Sequence, residues 1–188
     1  MNNPDIEKII GNKIIQMQRW IKHDLPVEVG NTAVKHFKDN FNQEGFVDGG
    51  VHKWPDVKRR DPQSKWYGFQ YKGEKRTSVA FSRSKKTGKT YRSKKQKKLN
   101  FSSAATRWKI LHNSGELQDS IIAQPFNRGV RISSDKAYAE VQNNGGTIRV
   151  FGKGTVHIPA RPFIGDSKEL RDKIDKIVDN GLDKIFKD

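Results

Sequence analysis

Apolar residues recur at spacings of three and four near the start of the chain: Ile6, Ile9, Ile10, Ile14, Met17 and Ile21. That period puts them on one face and predicts a helix over about Asp5–Lys22. Pro26 has no N–H and clashes with a preceding helical turn, so it is expected to stop this helix. Val34, Phe37 and Phe41 predict a second helix over Asn31–Asn42, with Asn31 or Thr32 as its N-cap. Gly45, Gly49 and Gly50 then break the pattern.

Residues 51–109 read differently. Trp54, Trp66, Tyr67, Phe69, Tyr71, Phe81, Tyr91, Phe101 and Trp108 are scattered among cations. Two hairpins are predicted there. One pairs Gly68–Tyr71 with Thr77–Phe81 through Lys72-Gly73-Glu74; the other pairs Phe81–Ser84 with Thr90–Arg92 through Thr87-Gly88. A short helix is expected over Ala104–His112, ending near Ser114-Gly115. Leu117–Ala123 fits a strand or a helical turn. Gly129–Ser133 alternates as a strand does, and Ala137–Gln142 fits either strand or helix. Thr147–Phe151 and Thr155–Ile158, joined by Gly152-Lys153-Gly154, predict a hairpin. Leu170, Ile174, Ile177, Val178, Ile185 and Phe186 form a helical stripe to the C-terminus. Asp166 stands as its cap, with Glu169 at the capping-box spacing.

These elements give an α+β fold: a small, mostly antiparallel sheet packed by N- and C-terminal helices, with the C-terminal helix on the sheet. The whole reads as a single domain, 1–188, from which a basic, aromatic-rich hairpin insert at about 56–104 projects.

Composition sharpens this picture. Hydrophobic residues are 33% of the chain, and mean hydropathy is −0.87. That is low for a solitary globule, so part of the chain should be solvated or buried only against a partner. There is no cysteine, which excludes disulfides and thiolate zinc sites and is compatible with a reducing cytoplasm. No apolar run reaches membrane-spanning length, and Met1-Asn-Asn-Pro-Asp does not open like a secretory signal.

The net charge is +16, which favours a polyanionic partner. Between Lys72 and Lys98 lie Lys72, Lys75, Arg76, Arg83, Lys85, Lys86, Lys89, Arg92, Lys94, Lys95, Lys97 and Lys98, with Glu74 as the one acid. Like charges this dense repel, so the tip is expected to be mobile without a partner. The candidate contact set is Lys72, Arg76, Arg83, Lys85, Lys86, Lys89, Arg92, Lys94, Lys95, Lys97 and Lys98. Cations neutralise phosphate, and flat rings stack on unpaired bases. The same residues also suit an acidic neighbouring subunit, or a small aromatic core kept soluble by its charges.

No catalytic constellation forms. Thr87-Gly88-Lys89-Thr90 echoes a phosphate-binding loop, but the required upstream glycine is Arg83. His23, His36, His52, His112 and His157 are never three or four apart, so no helix offers paired metal ligands. Asp135 and Glu140 read as a solvated face rather than an acid pair. Ser114, Ser120, Ser133 and Ser134 lack a nucleophile-elbow context. No enzyme activity, cofactor or metal is assigned. In Arg161-Pro162-Phe163, Pro159 and Pro162 hold the backbone extended. This positions Phe163 as a staple on the last helix, and Arg161 to reach a carboxylate on its own or a neighbouring subunit. The segment fits a local packing corner or an interface.

Three blocks in order carry a family resemblance: Leu111-His-Asn-Ser-Gly-Glu-Leu-Gln-Asp-Ser-Ile121, Tyr138-Ala-Glu-Val-Gln-Asn-Asn-Gly-Gly146 and Ile158-Pro-Ala-Arg-Pro-Phe-Ile-Gly165. Together they resemble the phage virion morphogenesis family, the tail-completion proteins of Mu-like and related tailed phages. The N-terminal half, with Leu25-Pro26, Phe37, Phe41, Gly45-Phe46 and Trp54, is similar in layout. The resemblance leaves out roughly Asp56–Ala104. Asn143 stands where a histidine-glutamine pair before the glycines is more typical.

The resemblance implies a structural virion protein that completes the tail or joins it to the head. It also implies a neck or connector ring, hexameric in the family, stacked on other neck, portal-adaptor or tail proteins. Its place would be the virion, and the host cytoplasm during assembly, with no membrane partner. The basic insert would meet a neighbouring virion protein or packaged DNA. The competing reading is a nucleic-acid-binding protein outside a virion.

Overall fold

The computed structural model describes residues 4–77, 81–92, 98–112, 114–127, 129–150 and 154–187. In chain order the elements begin with α1 (Pro4–Arg19), a π-helical turn (Trp20–Asp24) and α2 (Leu25–Gln43). The strands β1 (Gly45–Val47), β2 (Val51–Lys53), β3 (Phe69–Thr77), β4 (Phe81–Arg83), β5 (Thr90–Arg92) and β6 (Lys98–Phe101) follow. A 3-10 turn (Ala104–Thr106) leads to α3 (Glu116–Asp119), β7 (Ile121–Phe126), β8 (Gly129–Ser134) and α4 (Ala139–Asn144). The chain closes with β9 (Gly146–Val150), β10 (Gly154–Ile158) and α5 (Lys168–Lys187). The fold is α+β, with antiparallel two-stranded ladders β1–β2, β3–β6, β4–β5, β7–β8 and β9–β10. It separates into two compact units: Met1–Trp54 with Ser114–Asp188, and Pro55–Asn113.

In the first unit α2 is the central element. It buries Pro26, Gly30, Ala33, His36, Phe37, Asn40 and Phe41, a helical stripe that packs on β7, β8 and α5. A Cβ at Gly30 would lie 2.9 Å from Ala123 and 3.0 Å from Val130, so only glycine lets the β7–β8 hairpin close on α2. Phe41 and Phe163 are each 1% exposed, and their rings sit 5.2 Å apart. Burying each ring stabilises the fold by about 1.5–3 kcal/mol. α5 lies against α2 and α1, and its first turn is bonded to the β1–β2 turn.

Pro26 does not end the first helix. The chain passes into α2 through the π-helical turn, where the Leu25 N–H reaches back to the Trp20 carbonyl. Widening the helix just before Pro26 accommodates the missing N–H and the ring, and Pro26 falls in the first turn of α2. α2 therefore starts at Leu25, and Asn31 and Thr32 lie inside it instead of capping it.

The N-cap of α5 is Ser167, not Asp166. Ser167 Oγ accepts from the Leu170 N–H at 3.2 Å, while Asp166 pairs with Arg171 at 2.9 Å. Glu169 is drawn elsewhere. Its two carboxylate oxygens accept the N–H groups of Gly49 and Gly50 at 3.0 and 3.1 Å, and Asp48 Oδ1 in return accepts the Lys168 N–H at 2.9 Å. Both turn glycines have positive φ, +64° and +141°, the conformation that presents their amides to one carboxylate.

In the second unit the ladders are nested. β4 pairs with β5 in the register Phe81↔Arg92, Ser82↔Tyr91, Arg83↔Thr90, which is the second expected hairpin. The first does not form: Lys72-Gly73-Glu74 lies within β3, whose partner is the distant β6. Phe69 and Glu74 both pair with Phe101, so the residues between them make an irregularity, not a turn. Of the helix expected over Ala104–His112, only the 3-10 turn is present. Ala139–Asn144 resolves as helix, and Leu117–Ala123 divides between the end of α3 and the start of β7.

Candidate interaction surfaces

From Ser114 onward the three sequence blocks lie in the first unit. In the first block Leu117 and Ile121 are buried, Gln118 Nε2 donates to the Lys38 carbonyl of α2 at 2.8 Å, and Ser120 Oγ lies 2.6 Å from Ser134 Oγ. The second and third blocks close on each other. A Cβ at Gly145 would stand 2.8 Å from the Ala160 nitrogen, so the glycine permits the approach. The Arg161 N–H donates to the Gln142 carbonyl at 2.8 Å. Asn143 Oδ1 accepts from both Phe163 N–H and Ile164 N–H, at 2.8 and 3.0 Å.

Arg161-Pro162-Phe163 is thus a packing corner. Arg161 is 7% exposed and Phe163 1%. Trp54 Nε1 donates to the Pro162 carbonyl at 2.7 Å, and Asn40 Nδ2 to the Phe163 carbonyl at 3.1 Å. Phe163 meets Phe41 of α2 rather than serving only as a staple on α5. Pro162, between the buried Arg161 and Phe163, is exposed. Asn40 and Asn143, which periodicity does not single out, do most of the polar fastening.

Of the basic contact set, Lys72 and Arg76 lie in β3, Arg83 in β4, Arg92 in β5 and Lys98 in β6. Lys85, Lys86 and Lys89 occupy the exposed β4–β5 turn. That turn is closed by Ser84 N–H to Lys89 O and Gly88 N–H to Ser84 O, both 2.9 Å. Thr87-Gly88-Lys89-Thr90 is therefore a hairpin turn. Lys94, Lys95 and Lys97 lie outside the described residues.

Charge divides sharply along the chain. Residues 55–113 carry eighteen Lys and Arg against three Asp and Glu, +15 of the net +16, while the remainder carries nineteen against eighteen. Among the described residues, Arg59 and Arg60 are structural. Arg59 donates to the carbonyls of Ala105, Trp108 and Lys109, and Arg60 donates twice to the Trp108 carbonyl. The aromatic rings are engaged with one another: Trp66 meets Phe69 edge-on at 5.2 Å, Tyr67 meets Phe101 at 6.3 Å, and the Phe101 ring covers Gly68.

A second surface lies on α1. Of its apolar stripe, Ile6, Ile9, Ile10 and Ile14 are between 43 and 58% exposed, as is the neighbouring Ile15 at 64%, while Met17 and Ile21 are half-buried. Ile122, Phe126, Ile148 and Val156 on the hairpins of the same unit are exposed as well.

Two polar groups are buried with constraint. His36 is 4% exposed, its Nδ1 lies 3.4 Å from Lys173 Nζ, and Nε2 has no partner. Burial first, then the Lys173 charge, lowers its pKa. Hydrogen bonds from backbone amides hold the Glu169 carboxyl below its usual range. Among the described residues no three His, Asp or Glu come together as metal ligands, Asp135 and Glu140 are exposed, and no helix is long and apolar enough to cross a membrane.

The phage virion morphogenesis family matches residues 73–183. That covers more than half the chain, and the protein belongs to this family. Its role is structural, in the making of a phage virion, and the virion is its place. The match takes in all three blocks and much of the basic segment, which the resemblance read from the blocks alone leaves out. No curated protein and no solved structure matches the chain.

Proposed function

We propose that the protein is a ring subunit at the neck of a tailed phage, completing the tail or joining it to the head, and that it catalyses no reaction. The observation that carries this is the isoleucine surface of α1, which the described residues leave about half exposed. Large exposed apolar patches mark contact sites. Covering five such half-exposed side chains contributes on the order of 10 kcal/mol, from roughly 25 cal/mol per Å². Association costs about 4–15 kcal/mol, so α1 alone does not suffice for a stable pair. The exposed apolar residues on β7, β9 and β10 supply further contact area. A subunit with a neighbour on each side and layers above and below uses several such patches at once, as head-to-tail rings do.

The test is genetic and visual. Lysates of phage lacking this gene should contain filled heads and separate tails by electron microscopy, and added purified protein should restore joined particles. Normal joined particles in the mutant lysate would contradict the proposal.

A further inference from the structure

We infer that the 55–113 unit binds duplex nucleic acid through its phosphate backbone, without reading sequence. This names a partner for the protein proposed above, but it stands on the charge distribution and not on ring formation. The unit holds +15 of the chain's +16. The remainder of the chain is nearly neutral, nineteen Lys and Arg against eighteen Asp and Glu, so another copy brings no net counter-charge, and a polyanion balances the unit better than a second copy does. Within the unit the acids are few and partly engaged: Asp56 faces Arg60 at 3.6 Å, and Asp61 accepts from the Gln63 N–H at 2.8 Å. Lys85, Lys86 and Lys89 are exposed on one short turn, and no described carboxylate pairs with them.

Two features separate the possible polyanions. Protein interfaces are depleted in lysine and centred on exposed apolar anchors; here the outward residues of the turn are lysines, threonine and glycine. Single strands are held by rings free to stack on bases; among the described residues Trp66 packs on Phe69 and Tyr67 on Phe101, which leaves Trp66, 39% exposed, as the ring most open to a base. Dense cations on an exposed turn suit the regular phosphates of a duplex.

The test is fluorescence anisotropy of the full chain with a labelled random-sequence duplex over a salt series, with oligomeric state measured separately in the absence of nucleic acid. The expected result is sequence-independent binding whose log affinity falls linearly with log salt. The triple variant Lys85→Gln, Lys86→Gln, Lys89→Gln should lower that slope by about 2–3 and weaken binding at least about tenfold at 0.1 M salt. A control variant, Lys176→Gln with Lys184→Gln, should leave the slope unchanged. Absence of duplex binding at low salt would overturn the inference. So would tighter binding of a single strand, equal displacement by polyglutamate at matched charge, or a triple variant with an unaltered slope. Each of these leaves ring formation, read in its own assay, unaffected.

Discussion

Asn40, in the last turn of α2, fastens Phe163 from 123 positions away: its amide donates to the Phe163 carbonyl at 3.1 Å, and its Oδ1 accepts the Val47 N–H at 3.2 Å. One fully buried side chain thereby ties the second helix, the first strand and the segment before α5. Replacing Asn40 by Ala removes both bonds and leaves a buried carbonyl without its donor. The expected loss is about 2–4 kcal/mol in urea unfolding. A loss below about 0.5 kcal/mol, inside the range of ordinary surface substitutions, would show that the bond is not a fastening.

Gly181 is fixed by a neighbour, not by its backbone. A Cβ there would fall 2.0 Å from the Trp20 ring. Alanine in a helix interior is ordinarily favoured over glycine by about 1 kcal/mol. Here overpacking should reverse the sign, so Gly181→Ala lowers stability by about 1–3 kcal/mol. In a Trp20→Ala background the same change should become stabilising. Thermal melts of the four proteins of this cycle check it, and an unchanged sign in the double variant would contradict the contact.

Stability should fall on the acid side in two steps. His36 has its folded pKa below 6.5, so the unfolded chain binds the proton more readily. Stability is full above about 6.5 and declines as pH drops from there towards the folded pKa. Glu169 has a folded pKa below 4.5, so its contribution is present above 4.5 and is lost as pH falls through the lower value. His36→Gln should flatten the first step and Glu169→Gln the second, in unfolding midpoints measured against pH.

The α1 stripe should govern self-association. Ile10→Glu with Ile14→Glu places charges where a neighbour must pack, and should shift the protein to monomer in sedimentation. Helicity should stay unchanged, because both side chains are solvent-facing within one copy.

The long helices and two of the hairpins were legible because periodicity is a local property. α5, the β4–β5 turn and the β9–β10 pair needed no information beyond neighbouring residues. Pro26 misled because its usual effect is to break a helix, and a π-helical turn that absorbs it leaves no mark in composition. Lys72-Gly73-Glu74 misled because turn formers are visible locally, whereas the partner of β3, β6, is set by nesting outside β4–β5. The period of the α1 isoleucines does not tell what covers them, since an apolar face that packs on another molecule has the same period as one that packs on the interior. Asn40, Asn143, Arg59 and Arg60 escaped notice because a polar fastening is defined by the carbonyl or amide it reaches. The charge of the basic segment was plain in the sequence, and the structure adds that the rest of the chain is nearly neutral.

The most direct measurement is the native mass of the purified full chain without nucleic acid. The account predicts a discrete closed assembly of several 21.5 kDa copies. A 21.5 kDa monomer at every concentration up to the limit of solubility would contradict it.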